Sequence, residues 1–232
     1  MLSYVKSIIF STTKYNNMKR LFIFDLDGMI LDTIEDSFNC VNQVLVEFNI
    51  APYEADYRTM HYPTFRKYLN DNNAGKKTPV YSRYIDVFAN HPLDNTKAFD
   101  GMTDVLCKLQ QLGVTLAICS NRDEKVVKKL AKRFFKDIYF KYISGFRRGV
   151  PDKPDPYRLN QIIESEGAEK NEVIYFGDKD ADIKVAENAG VDLVLVTYGQ
   201  GSPEDYASTY PLRVIDKPEE IMELINEGII HI

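Results

Sequence analysis

Leu21-Phe22-Ile23-Phe24-Asp25-Leu26-Asp27-Gly28 opens with an unbroken apolar run of four residues and then stops at two carboxylates and a glycine. Apolar runs without alternation suit strands buried on both faces, the condition of a parallel sheet covered by helices. Three more such runs follow. Val114 to Cys119 ends in Ser120-Asn121, Val173-Ile174-Tyr175-Phe176 ends in Gly177-Asp178, and Val191 to Val196 comes last. Tyr139 to Ile143 is weaker and reads as an edge strand.

Between these runs apolar residues recur at helical spacing. Thr103 to Leu112 carries Val105, Leu106 and Leu109 and stops at Gly113. Glu124 to Phe135 sets Val126, Val127, Leu130 and Phe134 on one face, with Lys125, Lys128, Lys129 and Lys132 expected in solvent. Pro156 to Glu166 stops at Gly167, Asp180 to Ala189 stops at Gly190, and Pro218 to Asn226 supplies one more helix. A glycine just past the last periodic residue is a helix stop signal. Strands alternating with helices predict an α/β fold, a doubly wound parallel sheet covered on both faces.

One interval breaks the alternation. From Asp32 to about Lys97 there is no strand-like run, only helical patterns at Ile34 to Phe48, Thr64 to Leu69 and Tyr81 to Ala89. This predicts a small helical domain, residues 33–96, inserted after the first strand of a core formed by 19–32 and 97–232. Met18-Lys19-Arg20 leads into that strand, so 1–18 read as an N-terminal extension.

With 232 residues, 44% hydrophobic and 27% charged, disordered and fibrous classes are excluded. A net charge of −5 argues against nucleic acid and anionic membrane as partners. No apolar run approaches the roughly 20 residues of a membrane span. Cys40, Cys107 and Cys119 form no CxxC pair and lie in apolar runs, which suits buried thiols in a reducing, cytoplasmic setting.

In open α/β sheets, ligands sit outside the carboxyl ends of the strands. There the chain places Asp25 and Asp27, Ser120 and Asn121, and Asp178, with Asp182 one helical turn further on. Lys153-Pro154-Asp155-Pro156 falls in a loop before a helix. Two carboxylates about 4 Å apart repel by roughly 4 kcal/mol at an effective dielectric near 20. A cluster of them requires protons or a cation. Hard oxygen ligands point to Mg²⁺. Lys153 adds a fixed positive charge, and Ser120 and Asn121 add neutral donors, a set suited to a phosphoryl group. Taken singly, each piece is common: DxD in surface loops, Ser-Asn as turn chemistry, Gly-Asp as a helix cap. Their order and their positions at element ends set them apart.

Asp25 to Thr33 resembles the first motif of the haloacid dehalogenase-like hydrolases. Ser120-Asn121 resembles the second, Lys153 to Pro156 the third, and Gly177-Asp178 to Asp182 the fourth. The helical insert falls where that family places a small cap, and the chain looks most like the phosphoglycolate phosphatase-like branch. The resemblance implies Asp25 as nucleophile and Asp27 as general acid and base. It implies Ser120 on a phosphate oxygen with Asn121 assisting, and Lys153 offsetting charge. It also implies Mg²⁺ on the carboxylates of Asp25 and Asp178 and the carbonyl of Asp27, with Asp182 beside the metal. Dehalogenases of the family would lack an aspartate at position 27. Lys179 departs from the pattern, which often has Ser or Thr after Gly-Asp.

The implied substrate is a small phosphorylated metabolite, with phosphoglycolate leading. A nucleotide 5′-phosphate, pyrophosphate or a sugar phosphate is an alternative. A β-phosphoglucomutase-like enzyme is disfavoured, since no His precedes His61. The intact carboxylates argue against a non-catalytic binding protein. The assembly expected is a monomer or homodimer. In the insert, Arg66 and Lys67 are candidate contacts for a substrate anion, weighed against a solvated helix face with Tyr62 and Phe65 in the insert core. Arg147 and Arg148 are expected to be solvated.

Overall fold

A computed structural model describes residues 18–60 and 62–232. The expected extension, apart from Met18, lies outside the described residues, as does His61. The chain enters as β1 (Leu21–Phe24) and passes through β2 (Leu31–Asp32). Three helices follow, α1 (Ile34–Glu47), α2 (Tyr62–Asp71) and α3 (Pro79–Asn90), before the chain returns through β3 (Lys97–Ala98). Then come α4 (Met102–Gln111), β4 (Thr115–Asp123), α5 (Glu124–Phe134) and β5 (Phe140–Phe146). The next elements are α6 (Tyr157–Glu166), β6 (Val173–Gly177), α7 (Asp180–Ala189) and β7 (Asp192–Val196). The single-turn α8 (Pro203–Tyr206), β8 (Arg213–Ile215) and α9 (Glu220–Asn226) finish the described chain.

Six strands form one parallel sheet in the order β5-β4-β1-β6-β7-β8. The chain winds outward from β1 through β4 to β5, returns to the other side of β1 for β6, and winds outward again. β1 is therefore both the centre of the sheet and the point where the winding reverses. All four of its residues are buried, and they alternate between two cores. Phe22 and Phe24 pack with α4, α5 and α9, whereas Leu21 and Ile23 pack with α6 and α7. This two-sided cover is why the run carries no polar residue. The Phe176 ring of β6 stacks on both Phe22 and Phe24, with centroids 5.6 and 4.6 Å apart.

The interval expected to be an insert leaves and re-enters through a two-stranded antiparallel ribbon, Leu31 opposite Ala98 and Asp32 opposite Lys97. Its helices share a small core of Val44, Leu45, Ala74 and Val80. Its two ends are also tied by Asp36, whose fully buried carboxylate accepts from Thr96 Oγ1 at 2.7 Å and Asn95 Nδ2 at 3.0 Å. Phe65 packs against Phe38 and Tyr53, as expected of the insert core. α3 starts where Thr78 caps the Tyr81 N–H and Pro79 takes the first helical position.

Tyr139 to Ile143 marked an edge strand, and β5 does lie at one edge of the sheet. The opposite edge, β8, gives no apolar run because only Ile215 is buried. Cys40 and Cys119 are buried as expected, but Cys107 on α4 is only partly covered. Among the described residues no helix is long and apolar enough to cross a membrane.

Phe22 is fully buried in the larger core and stacks on Phe176. Phe22→Ala is expected to lower the free energy of unfolding by about 3–5 kcal/mol. Urea denaturation measures this, and a loss below about 1 kcal/mol would mean that the two cores are not built around β1.

Candidate active site

In-register pairing brings the site together. Phe24 lies opposite Ile118 of β4 and Phe176 of β6, so the residues just beyond each strand reach the same sheet edge. Asp25 is fixed there by its N–H, which donates to the Phe176 carbonyl at 2.8 Å. Gly28 turns the chain away at φ +85°, and a Cβ there would lie 2.0 Å from Asp178 Oδ2. Only glycine permits both that backbone conformation and that approach.

Asp25, Asp178 and Asp182 are all buried and offer carboxylate oxygens within 4.8 Å of one another. Two lysines enter the cluster. Lys153 Nζ lies 2.8 Å from Asp25 Oδ1 and 2.6 Å from Asp182 Oδ1. Lys179 Nζ lies 2.7 Å from Asp178 Oδ1, 3.7 Å from Asp25 Oδ2 and 3.3 Å from the Asp27 carbonyl oxygen. Lys153 donates hydrogen bonds to Asp182 and Tyr175, while Asp25 Oδ1, though close, receives none. Asp25 Oδ1 is thus charge-paired but not hydrogen-bonded.

Asp27 stands apart from that cluster. Arg122 grips it with a fork, Nε to Oδ2 at 2.8 Å and Nη2 to Oδ1 at 2.7 Å, and the Thr33 hydroxyl donates to Oδ1 at 2.7 Å. The other side of the guanidinium faces the insert. Its centre lies 3.7 Å from the Phe88 ring of α3, and Nη2 reaches Ser37 Oγ at 3.3 Å.

These surroundings set the ionisation of each group. Burial pushes Asp25 up, and Lys153 and Lys179 offset that only in part. Burial also drives Asp178 up to about 7, with Asp182 and Asp25 adding to the effect and Lys179 opposing it. Asp182 goes the other way. Against burial, the charges of Lys153 and Lys179 hold it well below the usual carboxylate range. Asp27 is also held low against burial, by the charge and hydrogen bonds of Arg122 and the Thr33 hydroxyl. Lys153 is raised, since Asp182 and Asp25 outweigh its desolvation. Three cations therefore face four carboxylates.

Several residues take positions that the sequence did not foretell. Asn121, expected at the substrate, spends its amide on the loop that carries Lys153. It accepts from the Lys153 N–H at 2.8 Å and donates to the Lys153 carbonyl at 3.0 Å. Asp182, expected among the metal ligands, has both oxygens engaged: Oδ1 with Lys153 and with the Tyr175 hydroxyl at 3.0 Å, Oδ2 with the N–H groups of Asp178 and Lys179. It organises the turn into α7. Arg66 is exposed on α2, and the ion pairs of the cluster run through Lys153, Lys179 and Arg122 instead. Ser120 is buried beside the cluster, its Oγ accepting from the Arg122 N–H at 3.2 Å.

Sequence reasoning passed over Arg122 and Arg158 entirely. Arg158 is fully buried and donates to the Ser120 carbonyl, the Asn121 side chain and the Pro151 carbonyl, clamping two site loops together. The loop after β7 was also missed. Its Gln200 N–H donates to Asp178 Oδ2 at 2.7 Å, and a Cβ on Gly199 would lie 2.3 Å from the Gly28 carbonyl. A Gly-Gln-Gly sequence after a strand was the available signal.

Carboxylates and lysines held out of water at the end of a central strand are equipped to act on an anionic group. The chain belongs to the haloacid dehalogenase-like hydrolases, whose family profile matches residues 22–196. Several of its relatives within that family are phosphoglycolate phosphatases. Phosphoglycolate phosphatase 1 of Pseudomonas aeruginosa is 26% identical over 223 residues, covering 91% of this chain and 81% of its own. The phosphoglycolate phosphatase of Aquifex aeolicus is 27% identical over 215 residues, covering 91% and 99%. A haloacid dehalogenase-like family hydrolase from Streptococcus pneumoniae matches with a TM-score of 0.72 at 20% identity, covering 88% of this chain and 97% of its own. CbbY from Rhodobacter sphaeroides, solved with phosphate, matches at 0.70 and 15% identity, covering 88% and 96%.

Two predictions follow from the charges. Lys153→Met leaves Asp25 and Asp182 buried without their common cation and should cost about 3–5 kcal/mol, read by urea unfolding in EDTA; an unchanged midpoint contradicts the pairing. Arg122→Met removes the fork that depresses Asp27, so the Asp27 ionisation must rise. With Asp27 as the general acid and base that the resemblance implies, its limb of the pH–kcat/KM profile then moves to higher pH, and an unmoved profile would detach Asp27 from the reaction.

Proposed function

We propose that the protein is a Mg²⁺-dependent phosphatase that hydrolyses a small phosphomonoester through an aspartyl-phosphate, with phosphoglycolate as the leading substrate. The observation that carries this reading is the pair Asp25 and Asp27: one charge-paired carboxylate with an oxygen free of hydrogen bonds, and a second two residues on in a distinct environment. The relatives named phosphoglycolate phosphatase support the substrate class. In this reading the core is 19–32 with 97–232, and 33–96 form a cap over the site. Free thiols at Cys40 and Cys119 fit a reducing, cytoplasmic setting.

The residues fit a divalent cation. Asp25 Oδ2, Asp178 Oδ1 and the Asp27 carbonyl converge on one point, which the Lys179 ammonium marks as a cation position. Those three groups would hold Mg²⁺, and all are hard oxygens. When bound, the metal neutralises the charge of the phosphoryl group and of the carboxylates around it.

Asp25 supplies an oxygen that bonds to phosphorus as the ester P–O bond breaks in line. Asp27 gives its proton to the departing alkoxide, which leaves as an alcohol. Arg122 holds Asp27 ionised in the resting site, so the proton it donates is taken up from solvent as the ester docks and is returned to solvent when phosphate leaves. Asp27, now a carboxylate, takes a proton from water as that water attacks phosphorus. The bond from phosphorus to Asp25 breaks, inorganic phosphate leaves, and both carboxyl groups return to their starting states. Lys153 balances charge on Asp25 throughout. Ser120 would bind a phosphate oxygen, Asn121 and Arg158 keep Lys153 and Ser120 in place, and Asp182 holds the turn that presents Asp178. The end products are one alcohol and one phosphate per water consumed.

The test is release of phosphate from phosphoglycolate and a panel of nucleotide, sugar and inorganic phosphoesters, with Mg²⁺ or EDTA. Phosphoglycolate should lead the panel, EDTA should abolish turnover, and Asp25→Asn should lower kcat at least about 1,000-fold. Metal-independent or Asn-tolerant turnover refutes the mechanism, and a better substrate replaces the leading one.

A further inference from the structure

We propose that Lys179 is a tethered cation that fills the metal position in the metal-free enzyme and must be expelled for Mg²⁺ to enter. This rests on the reading of Asp25, Asp27 and Asp178 as the metal's holders and adds a competitor within the chain itself.

The argument is geometric. Lys179 follows Asp178 directly at the start of α7. Its side chain folds inward, only 17% exposed, and its ammonium binds Asp178 Oδ1 and the Asp27 carbonyl and lies 3.7 Å from Asp25 Oδ2, the oxygens assigned to the metal. The distance to Asp178 Oδ1 is 2.7 Å, whereas Mg²⁺ demands oxygens at about 2.0–2.1 Å in near-octahedral order. An ammonium and a dication cannot share that point, since both need the same lone pairs and each repels the other. Lys153 cannot play this part: it sits on the far side of Asp25, bonded to Asp182 and Tyr175. A Ser or Thr at position 179 could not reach the Asp27 carbonyl with a charge.

Two consequences separate this from a structural role. The metal-free site is held closed and charge-balanced by the protein's own cation. The apparent affinity for Mg²⁺ is also reduced by the fraction of time that Lys179 is out. If the ammonium occupies the site about nine-tenths of the time, the apparent Kd rises about tenfold.

Calorimetric titration of Mg²⁺ into native protein, Lys179→Ser and Lys179→Met measures this without turnover. The Met variant keeps most of the side-chain volume and removes only the charge. Both variants should bind Mg²⁺ about tenfold more tightly than native protein, have a lower Tm in EDTA, and gain more Tm on adding Mg²⁺. Equal or weaker binding by the variants overturns the inference while leaving the metal reading intact. Absence of Mg²⁺ binding in all three refutes the metal reading itself. Should the variants fail to fold without metal, the native protein supplies the answer. Acetic anhydride labelling, read by peptide mass spectrometry, should modify Lys179 faster with Mg²⁺ present than in EDTA. Unchanged or slower labelling overturns the expulsion.

Discussion

Buried carboxylates at the end of a central strand are the constraint from which the rest of this structure follows. A carboxylate away from water is untenable without a partner, because its desolvation costs several kcal/mol. Asp25, Asp178 and Asp182 are all buried, so cations must come to them. Lys153 is brought by a loop that Asn121 and Arg158 hold in place, and Lys179 is carried by the first turn beyond β6. Each of these supports is a hydrogen bond to backbone or to a side chain that is itself paired. The polar network around Asp178 and Asp182 is thus well satisfied, whereas the buried Oδ1 of Asp25 is left without a hydrogen bond.

The sheet makes this concentration of charge possible. Parallel neighbours of β1 deliver their carboxyl ends to one edge, and two apolar layers keep the strands rigid. A site assembled on strand ends inherits that rigidity, while the loops beyond them supply chemistry. The division also explains why the two acids differ. Asp25 remains within the shadow of the sheet, while Asp27, past the first turn, meets Arg122 and the insert.

Much of this was legible in the chain. The buried strands announce themselves because burial on both faces forces unbroken apolar runs, as in Leu21 to Phe24. The carboxylates were legible from their places at strand ends. Roles that depend on a distant partner were not. Asn121 reads as a donor next to a site, and only the arrival of the Lys153 loop turns it into a brace. Asp182 stands in the first turn of α7, four residues past Asp178, but which neighbour claims its oxygens depends on where Lys153 ends. Arg122 carries no local mark, since its partners Asp27 and Phe88 lie 95 and 34 positions away. Arg66 carries a suggestive charge on a helix whose buried face is set by Phe65 instead.

The ribbon of Leu31-Asp32 and Lys97-Ala98 has a bearing on folding and on evolution. A long excursion between two strands normally burdens a core with the entropy of bringing its ends together, a cost that grows with length, if slowly. Here the ends already lie side by side, and Asp36 fastens them again through Asn95 and Thr96. To the sheet, everything from Thr33 to Thr96 behaves as one short hairpin. Such an arrangement lets the excursion be lengthened, shortened or exchanged wholesale, while the strand register that aligns Asp25 with its neighbours stays the same.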